Sequence, residues 1–139
     1  MATKNNNKPK PENKNKNNKG VLDSSALRTL FFNEEGATKV YKILEDALVS
    51  TISLSTFLDE VDGAGGPTNL ILKHIQTLAL QFAPFDYDQV CIASRYSSLS
   101  LSLECRAAIA LALSSQAPLY TTNKALATMD LPITICLIH

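Results

Sequence analysis

The sequence predicts an α/β protein in which helices cover a mostly parallel sheet. Short apolar segments of strand length alternate along the chain with longer segments whose apolar residues recur at helical spacing. Such alternation is typical of sandwiches built around a parallel sheet. The 139 residues, 45% of them hydrophobic, suit one domain with a genuine core. No apolar run approaches the roughly eighteen residues that a membrane span requires, so we expect no membrane association.

The folded domain is predicted to span residues 21–139, after a tail at residues 1–20. The tail holds six lysines, seven asparagines and one acid, which gives it a net charge of +5, whereas the remainder carries −5. Its few apolar residues cannot offset the entropy lost on ordering, so we expect the tail to be disordered. Its charge could attract nucleic acid, although a solvated tail without a function is the simpler interpretation.

The first half of the chain predicts two strands and three helices. Asp23 follows the first strand, and Ser24 or Ser25 is the expected N-cap of the helix after it. Ser53 or Ser55 is the expected N-cap of the third helix. In chain order the predicted elements are a strand at 21–22, a helix at 26–32, a break at 33–36, a helix at 37–45, a strand at 48–52, a helix at 54–61 and a loop at 63–67.

The second half contains the most hydrophobic helix of the chain. The segment 107–112 consists entirely of alanine, isoleucine and leucine, so we expect this helix to be central to the fold. Asp86 is placed to open a shorter helix before it. The predicted elements are a helix at 70–80, an extended piece at 82–85, a helix from 86 to 93, the central helix at 103–113, a strand at 118–121, a helix at 123–129 and a strand at 133–138.

Asp23 is the first candidate for a functional residue, because it lies directly after a strand and before the start of a helix. Open α/β sheets bind their ligands outside the carboxyl ends of the strands. Several acids at that edge would suit a hard divalent cation. The alternative interpretation is that Asp23 only stabilises the dipole of the helix that follows.

The histidines and cysteines form no pattern typical of catalysis, metal binding or disulfides. His74 and His139 have no partner at a suitable spacing, so we expect both to be structural. Cys91, Cys105 and Cys136 are an odd number and lie far apart, which fits neither a disulfide framework nor a paired zinc site. We interpret Cys105 as a small buried apolar side chain, and we expect the protein to be cytoplasmic.

Eight short segments of the domain occur together in an order and spacing typical of one family. They are VLDSSAL at 21–27, NEEG at 33–36, LVSTI at 48–52, PFD at 84–86, LSL at 101–103, RA at 106–107, ALA at 110–112 and the segment 121–130. In this order they resemble a PIN domain, specifically the VapC-type toxin of toxin–antitoxin pairs. The resemblance implies a three-layer α/β/α sandwich, a homodimer, and an endoribonuclease that depends on Mg or Mn. It also implies a small antitoxin partner that plugs the active-site groove.

In that family a ring of acids holds the metal ion or ions that activate water for phosphodiester cleavage. Carried over position by position, the first acid corresponds to Asp23, which has Ser25 as its usual hydroxyl neighbour. The second acid corresponds to Thr56, the third to Cys105 and the fourth to Asn123. The resemblance therefore implies a degenerate site in which Asp23 is the one acid left to bind metal.

Three other acids are candidates to replace the lost ligands. Asp59 and Glu60 lie three and four residues beyond Thr56 on the same helical face. One helical turn is about 5.4 Å along the axis, which is too far for simple replacement. Glu104 directly precedes Cys105, and one residue along a helix turns the side chain by about 100°. This difference in side-chain direction matters less if Glu104 lies at the helix N-terminus.

Three functions of different classes remain open for this domain. It could be an active ribonuclease built on Asp23 with Glu104 and Glu60, or a catalytically inactive PIN-fold protein that binds RNA or an antitoxin. It could also be a purely structural dimer whose groove has no ligand. We predict a relative of the ribonuclease toxins with weak or lost activity, which requires Mg or Mn if it is active and no cofactor otherwise.

Overall fold

The structure, a computed structural model, describes residues 20–139, so the prediction about the tail falls almost entirely outside it. Within this range the chain forms five strands and seven helices. The strands are β1 (Val21–Leu22), β2 (Leu48–Ser50), β3 (Gln81–Ala83), β4 (Leu119–Thr121) and β5 (Ile135–Leu137). The helices are α1 (Ser24–Phe31), α2 (Ala37–Lys42), α3 (Thr51–Gly63), α4 (Thr68–Gln76), α5 (Tyr87–Ser94), α6 (Leu103–Ser115) and α7 (Lys124–Ala127).

The strands form one sheet in the order β3-β2-β1-β4-β5, and every neighbouring pair is parallel. Val21 of β1 pairs with Leu48 of β2 on one side and with Leu119 of β4 on the other. The predicted α/β class with a mostly parallel sheet is confirmed. Because all strands run the same way, their carboxyl ends meet at one edge, where the order of winding reverses next to β1.

Helices cover both faces of the sheet, which makes three layers. Successive residues of a strand point to opposite faces, so Leu22 belongs to one hydrophobic cluster and Val21 to another. The first cluster contains buried residues of α1 to α4, among them Phe57. The second contains buried residues of α6 and α7, among them Ile109 and Leu126. The three-layer sandwich implied by the family resemblance is therefore confirmed.

Helix α6 is buried on nearly all sides, as its sequence predicts. Every residue from 107 to 112 is buried, and four of these six are alanines, whose small side chains allow the helix to pack closely against its neighbours. At 13 residues it is still short, and no helix of residues 20–139 has the length and apolarity needed to span a membrane.

Several predicted boundaries are wrong by a few residues. Asp23 itself caps α1, ahead of the two serines that were expected to do so. Ser50 caps α3, in place of the expected Ser53 or Ser55, and β2 ends there rather than at residue 52. In both cases the helix starts directly at the strand end, so the first polar side chain after the buried residues becomes the cap. Helix α2 ends at residue 42 rather than 45, and α4 spans 68–76 rather than 70–80.

Candidate acidic site

The candidate site lies where the three central strands end. Asp23 follows β1, Ser50 ends β2 and Thr121 ends β4, and all three side chains are buried. The parallel sheet brings these strand ends to the same edge. Helices α1 and α3 begin at this edge, so their first N–H groups and the positive ends of their dipoles face it. The helix starts therefore offer hydrogen-bond donors to an anionic side chain at this edge.

Asp23 is held by hydrogen bonds at the start of α1. Its Oδ1 accepts from the Ser25 hydroxyl at 2.6 Å and from the Ala26 N–H at 3.0 Å. Burial raises the pKa of this carboxyl, with a second contribution from the Glu104 carboxylate, and the resulting pKa is about 6. Hydrogen bonds from Ser25, Thr121 and Ala26 oppose the rise in pKa. Asp23 therefore exchanges its proton close to neutral pH.

Hydroxyl groups join the start of α1 to the end of β4. The Ser25 Oγ lies 3.5 Å from the Thr121 Oγ1 and accepts the Thr122 N–H at 3.0 Å. The Thr121 Oγ1 in turn accepts the Asn123 N–H at 3.0 Å. Ser25, which the resemblance places beside the first acid, thus connects Asp23 to the loop that carries the fourth acid position.

Glu104 reaches the same site from the opposite layer. It is the second residue of α6, after the N-cap Ser102, so it lies at the helix N-terminus as its approach to the site requires. Its Oε1 accepts from the Ser24 hydroxyl at 3.0 Å. Its Oε2 accepts from the Ser24 N–H at 3.1 Å and from the Ser53 hydroxyl at 2.6 Å. Glu104 is close enough to Asp23 to raise the pKa of that carboxyl.

Cys105 contributes a neutral thiol at the position that the resemblance assigns to the family's third acid. The residue is 7% exposed, and its burial, with the carboxylates of Glu104 and Asp23, raises the pKa of the thiol to about 12. A hydrogen bond with the Asn123 side chain lowers this pKa in part. Asn123 caps α7 by accepting the Ala125 N–H at 3.1 Å. The third and fourth acid positions thus lie beside each other, and neither carries a charge at neutral pH.

The second acid position lies on α3. Thr56 is half-buried and follows Ser53 by three residues, which places both on one face of the helix. Since the Ser53 hydroxyl binds Glu104, this face is turned toward the site. Asp59 is exposed on the next turn.

Glu60 lies further along α3, on the exposed rim of the site. Partial loss of hydration raises its pKa, the nearby Arg28 guanidinium lowers it, and the carboxylates of Glu104 and Glu34 raise it. Arg28 is itself paired with Glu34 through a 3.3 Å salt bridge. The Glu104 carboxylate therefore raises the pKa of Glu60, although Glu60 does not share the hydrogen-bond partners of Glu104.

The atoms available as metal ligands at this edge do not suit a magnesium ion such as the family resemblance implies. Mg²⁺ prefers several oxygen ligands in octahedral geometry. The edge offers the carboxylates of Asp23 and Glu104, and both oxygens of Glu104 already accept hydrogen bonds. The neutral Cys105 thiol is a poor ligand for a hard cation. Among residues 20–139, no three Asp, Glu, His or Cys side chains gather closely enough to hold a metal ion.

Ser24 and Ser53 are the site residues that the sequence analysis missed, since it considered both only as helix caps. Their signal in the sequence is positional: Ser24 follows Asp23 directly, and Ser53 stands one helical turn before Thr56. Such serines are common at helix starts, so position alone cannot assign them to an acid 80 or 51 residues away.

The remaining histidines and cysteines lie outside this network. His74 packs edge-on against the Phe31 ring, with 5.5 Å between the ring centroids. His139 and Cys91 are exposed, and Cys136 is half-buried as a free thiol in β5.

Comparisons with known proteins give matches in structure alone. No family model and no curated protein matches the chain. A DNA-bound VapBC from Salmonella typhimurium superposes with a TM-score of 0.71 at 13% identity, over 88% of this chain and 99% of that one. A toxin–antitoxin complex from Klebsiella pneumoniae gives 0.67 at 13%, over 84% and 96%. VapC20 of Mycobacterium tuberculosis, a toxin that cleaves the sarcin–ricin loop, gives 0.66 at 9%, over 84% and 98%.

These neighbours share one fold with the described residues across nearly their whole length. The chain therefore has the VapC-type PIN fold that its sequence resemblance implied. At identities this low, what the chain and its neighbours have in common is the fold, and the chemistry must be argued from the chain's own site.

Proposed function

We propose that this chain is a VapC-type domain in which metal-dependent RNA cleavage is weak or lost and in which binding of an antitoxin is retained. The observation that supports the proposal is the set of side chains available as metal ligands at the acidic edge. Asp23 remains, Glu104 is bound by two serines, and the other family positions are Thr56, Cys105 and Asn123. Neutral groups at three of four positions cannot balance the charge of Mg²⁺ or Mn²⁺ as four carboxylates would.

Cleavage of labelled RNA by the purified protein tests the first half of this proposal. We expect little or no cleavage with Mg²⁺ or Mn²⁺, and the same result with a chelator. An Asp23→Asn variant purified in parallel controls for contaminating nuclease. Efficient cleavage by the wild type that requires metal and disappears in Asp23→Asn would contradict the proposal and make Glu104 and Glu60 the next residues to replace.

Restoring the acids tests whether the groove still has the geometry of a nuclease. We expect the triple variant Thr56→Glu, Cys105→Asp, Asn123→Asp to gain metal-dependent cleavage above the wild type, because carboxylates would then stand at all four family positions, with Glu104 beside them. The matched control is Thr56→Gln with Cys105→Asn, which changes size and polarity without adding charge. Equal cleavage by the restored and control variants would show that more than the acids has been lost.

An apolar groove on the helical layer of α1, α2 and α4 supports the antitoxin half of the proposal. A cavity of about 250 Å³ there is lined by Leu30, Phe31, Tyr41, Leu44, His74 and Leu78. Tyr41 is 69% exposed, and it also lines a second cavity beside the first. The similar solved structures include VapBC and FitAB assemblies. We assign this groove to an apolar segment of such an antitoxin.

Binding of VapB- and FitA-type antitoxins to the Tyr41→Glu variant tests this assignment. A charge in the centre of the groove should weaken binding at least tenfold, because it would have to be desolvated. Binding should also depend little on salt, since three acids that would face basic antitoxin side chains are absent. Equal binding by wild type and Tyr41→Glu would remove the groove from the proposal.

A homodimer is the second assembly that we propose. Tyr87, Val90 and Cys91 are exposed on one face of α5, with Tyr87 exposed by 79% and Val90 by 44%. Such an apolar face suits a second copy of the chain. Analytical ultracentrifugation should show a dimer for the wild type and for Tyr41→Glu, and a monomer for Tyr87→Glu. The two tyrosine variants thus serve as controls for each other.

A further inference from the structure

We propose that Glu104 is an internal crosslink of the acidic site, which joins α1, α3 and α6 through hydrogen bonds where the family uses a metal ion. One carboxylate binds Ser24 on α1 and Ser53 on α3 simultaneously. These serines are 80 and 51 residues away along the chain, so the contact closes two long loops of the fold. The inference rests on the proposed loss of metal binding at this site and explains what keeps the site folded without it.

The geometry of the contact is that of a strong, charge-assisted hydrogen bond. The 2.6 Å between the Ser53 hydroxyl and Oε2 is typical of a hydroxyl that donates to a carboxylate. The Ser24 N–H belongs to the first turn of α1, where it has no acceptor within the helix. The dipoles of α1 and α6 both favour an anion at this point.

The same contact leaves Glu104 little capacity as a metal ligand. Each carboxylate oxygen accepts at least one protein hydrogen bond, and Oε2 accepts two. About one of the four lone-pair sites of the carboxylate therefore remains, on Oε1. Any further bond to a metal ion would displace a serine donor and leave it unpaired in a half-buried place.

Thermal unfolding of Glu104→Gln, Ser53→Ala and the double variant tests the crosslink. We expect each single variant to lower Tm by on the order of 5 °C, and the double variant to lower it by clearly less than the sum, because both changes remove the same bond. Ser55→Ala, an exposed serine on the same helix, is the matched control and should leave Tm unchanged. The wild-type Tm should be the same with millimolar Mn²⁺ and with EDTA.

Two results would overturn the crosslink. One is an additive double variant, which would show that Ser53 and Glu104 do not interact. The other is a Tm that Mn²⁺ raises in the wild type and not in Glu104→Gln, which would make Glu104 a metal ligand. If Glu104→Gln does not fold, the comparison of Ser53→Ala with Ser55→Ala tests the contact. Ser53→Ala should then lower Tm by on the order of 5 °C, whereas Ser55→Ala should leave it unchanged. Efficient metal-dependent RNA cleavage by the wild type would refute the proposed function and leave the Ser53–Glu104 coupling as a separate result.

Discussion

Asp23 combines two roles that oppose each other at the scale of a single residue. As the N-cap of α1 it stabilises the helix, since its carboxylate accepts the Ala26 N–H. As a buried acid near Glu104 it is costly to ionise, and its pKa is raised to about 6. The hydrogen bonds from the Ser25 hydroxyl and the Ala26 N–H offset part of that cost.

We expect Asp23→Asn to stabilise the protein at neutral pH. A raised carboxyl pKa means that the folded chain holds a proton which the unfolded chain releases at lower pH. The stability that this carboxyl contributes is therefore fully present below its ordinary pKa of 3.8 and is lost as the pH rises through its folded-state pKa of about 6. Asparagine can still cap α1 but carries no charge. The free energy of unfolding should therefore increase by about 1–3 kcal/mol at pH 7, and this increase should vanish near pH 4. Urea unfolding in EDTA at both pH values measures it, and an equal effect at both would contradict the argument.

Cys91 and Cys105 should differ strongly in reactivity toward alkylating reagents. Cys91 is exposed, whereas Cys105 is buried and has its pKa raised to about 12. Because the thiolate is the reactive form, we expect Cys105 to be modified only after unfolding. Iodoacetamide labelling followed by mass spectrometry checks this order, and rapid labelling of Cys105 in the native protein would be the contrary result.

At the scale of elements, the site depends on where helices begin. Asp23, Ser50 and Ser102 cap α1, α3 and α6, and each cap fixes the first turn from which a site residue projects. Glu104 reaches Ser24 and Ser53 because α6 begins at Leu103, which makes it the second residue of the helix. A shift of one residue in that start would turn its side chain by about 100°.

The Ser102→Ala variant tests the role of the α6 cap. The Ser102 hydroxyl accepts the Cys105 N–H at 3.1 Å, and its loss should cost about 0.5–2 kcal/mol of unfolding free energy. Ser100→Ala, an exposed serine in the preceding loop, should cost much less. Chemical denaturation of both variants measures the difference, and equal stabilities would mean that packing alone sets the start of α6.

At the scale of the whole molecule, residues 137 and 138 pack against the segment that separates α1 from α2. Gly36 has a φ of +95°, and a side chain there would collide with Ile138. Ile138 is 2% exposed, and its N–H donates to the Thr121 carbonyl at 3.0 Å. The Lys39 ammonium donates to the Leu137 carbonyl on the same side. The carboxyl terminus thereby supports the strand end that carries the Thr121 hydroxyl.

We expect Gly36→Ala to destabilise the protein by about 1–3 kcal/mol, because alanine strains the positive φ and meets Ile138. Gly63→Ala is the matched control, since Gly63 ends α3 with open space around it, and alanine there should be neutral or slightly stabilising. Differential scanning calorimetry compares the two variants. A Gly36→Ala protein as stable as Gly63→Ala would show that the contact with Ile138 is dispensable.

The fold class and the alternation of elements could be predicted from local patterns, namely apolar periodicity and polar residues at element ends. Asp23 was predicted as a strand-end acid in the same way. The assignment of Thr56, Cys105 and Asn123 as neutral replacements for acids rests on the family resemblance and stays a prediction. Helix starts were less well determined, because neighbouring polar residues at a strand end are all acceptable caps.

The contacts of Glu104 could not be predicted from the sequence and follow from the folded structure. Its partners Ser24 and Ser53 belong to other elements, and their meeting depends on the packing of two helical layers against one sheet edge. The folded structure also raises the pKa of Asp23 to about 6, because burial and a neighbouring carboxylate are properties of the assembled site. Local sequence patterns specify which residues form an element, whereas contacts between distant elements depend on the relative placement of whole helices, which no local pattern encodes.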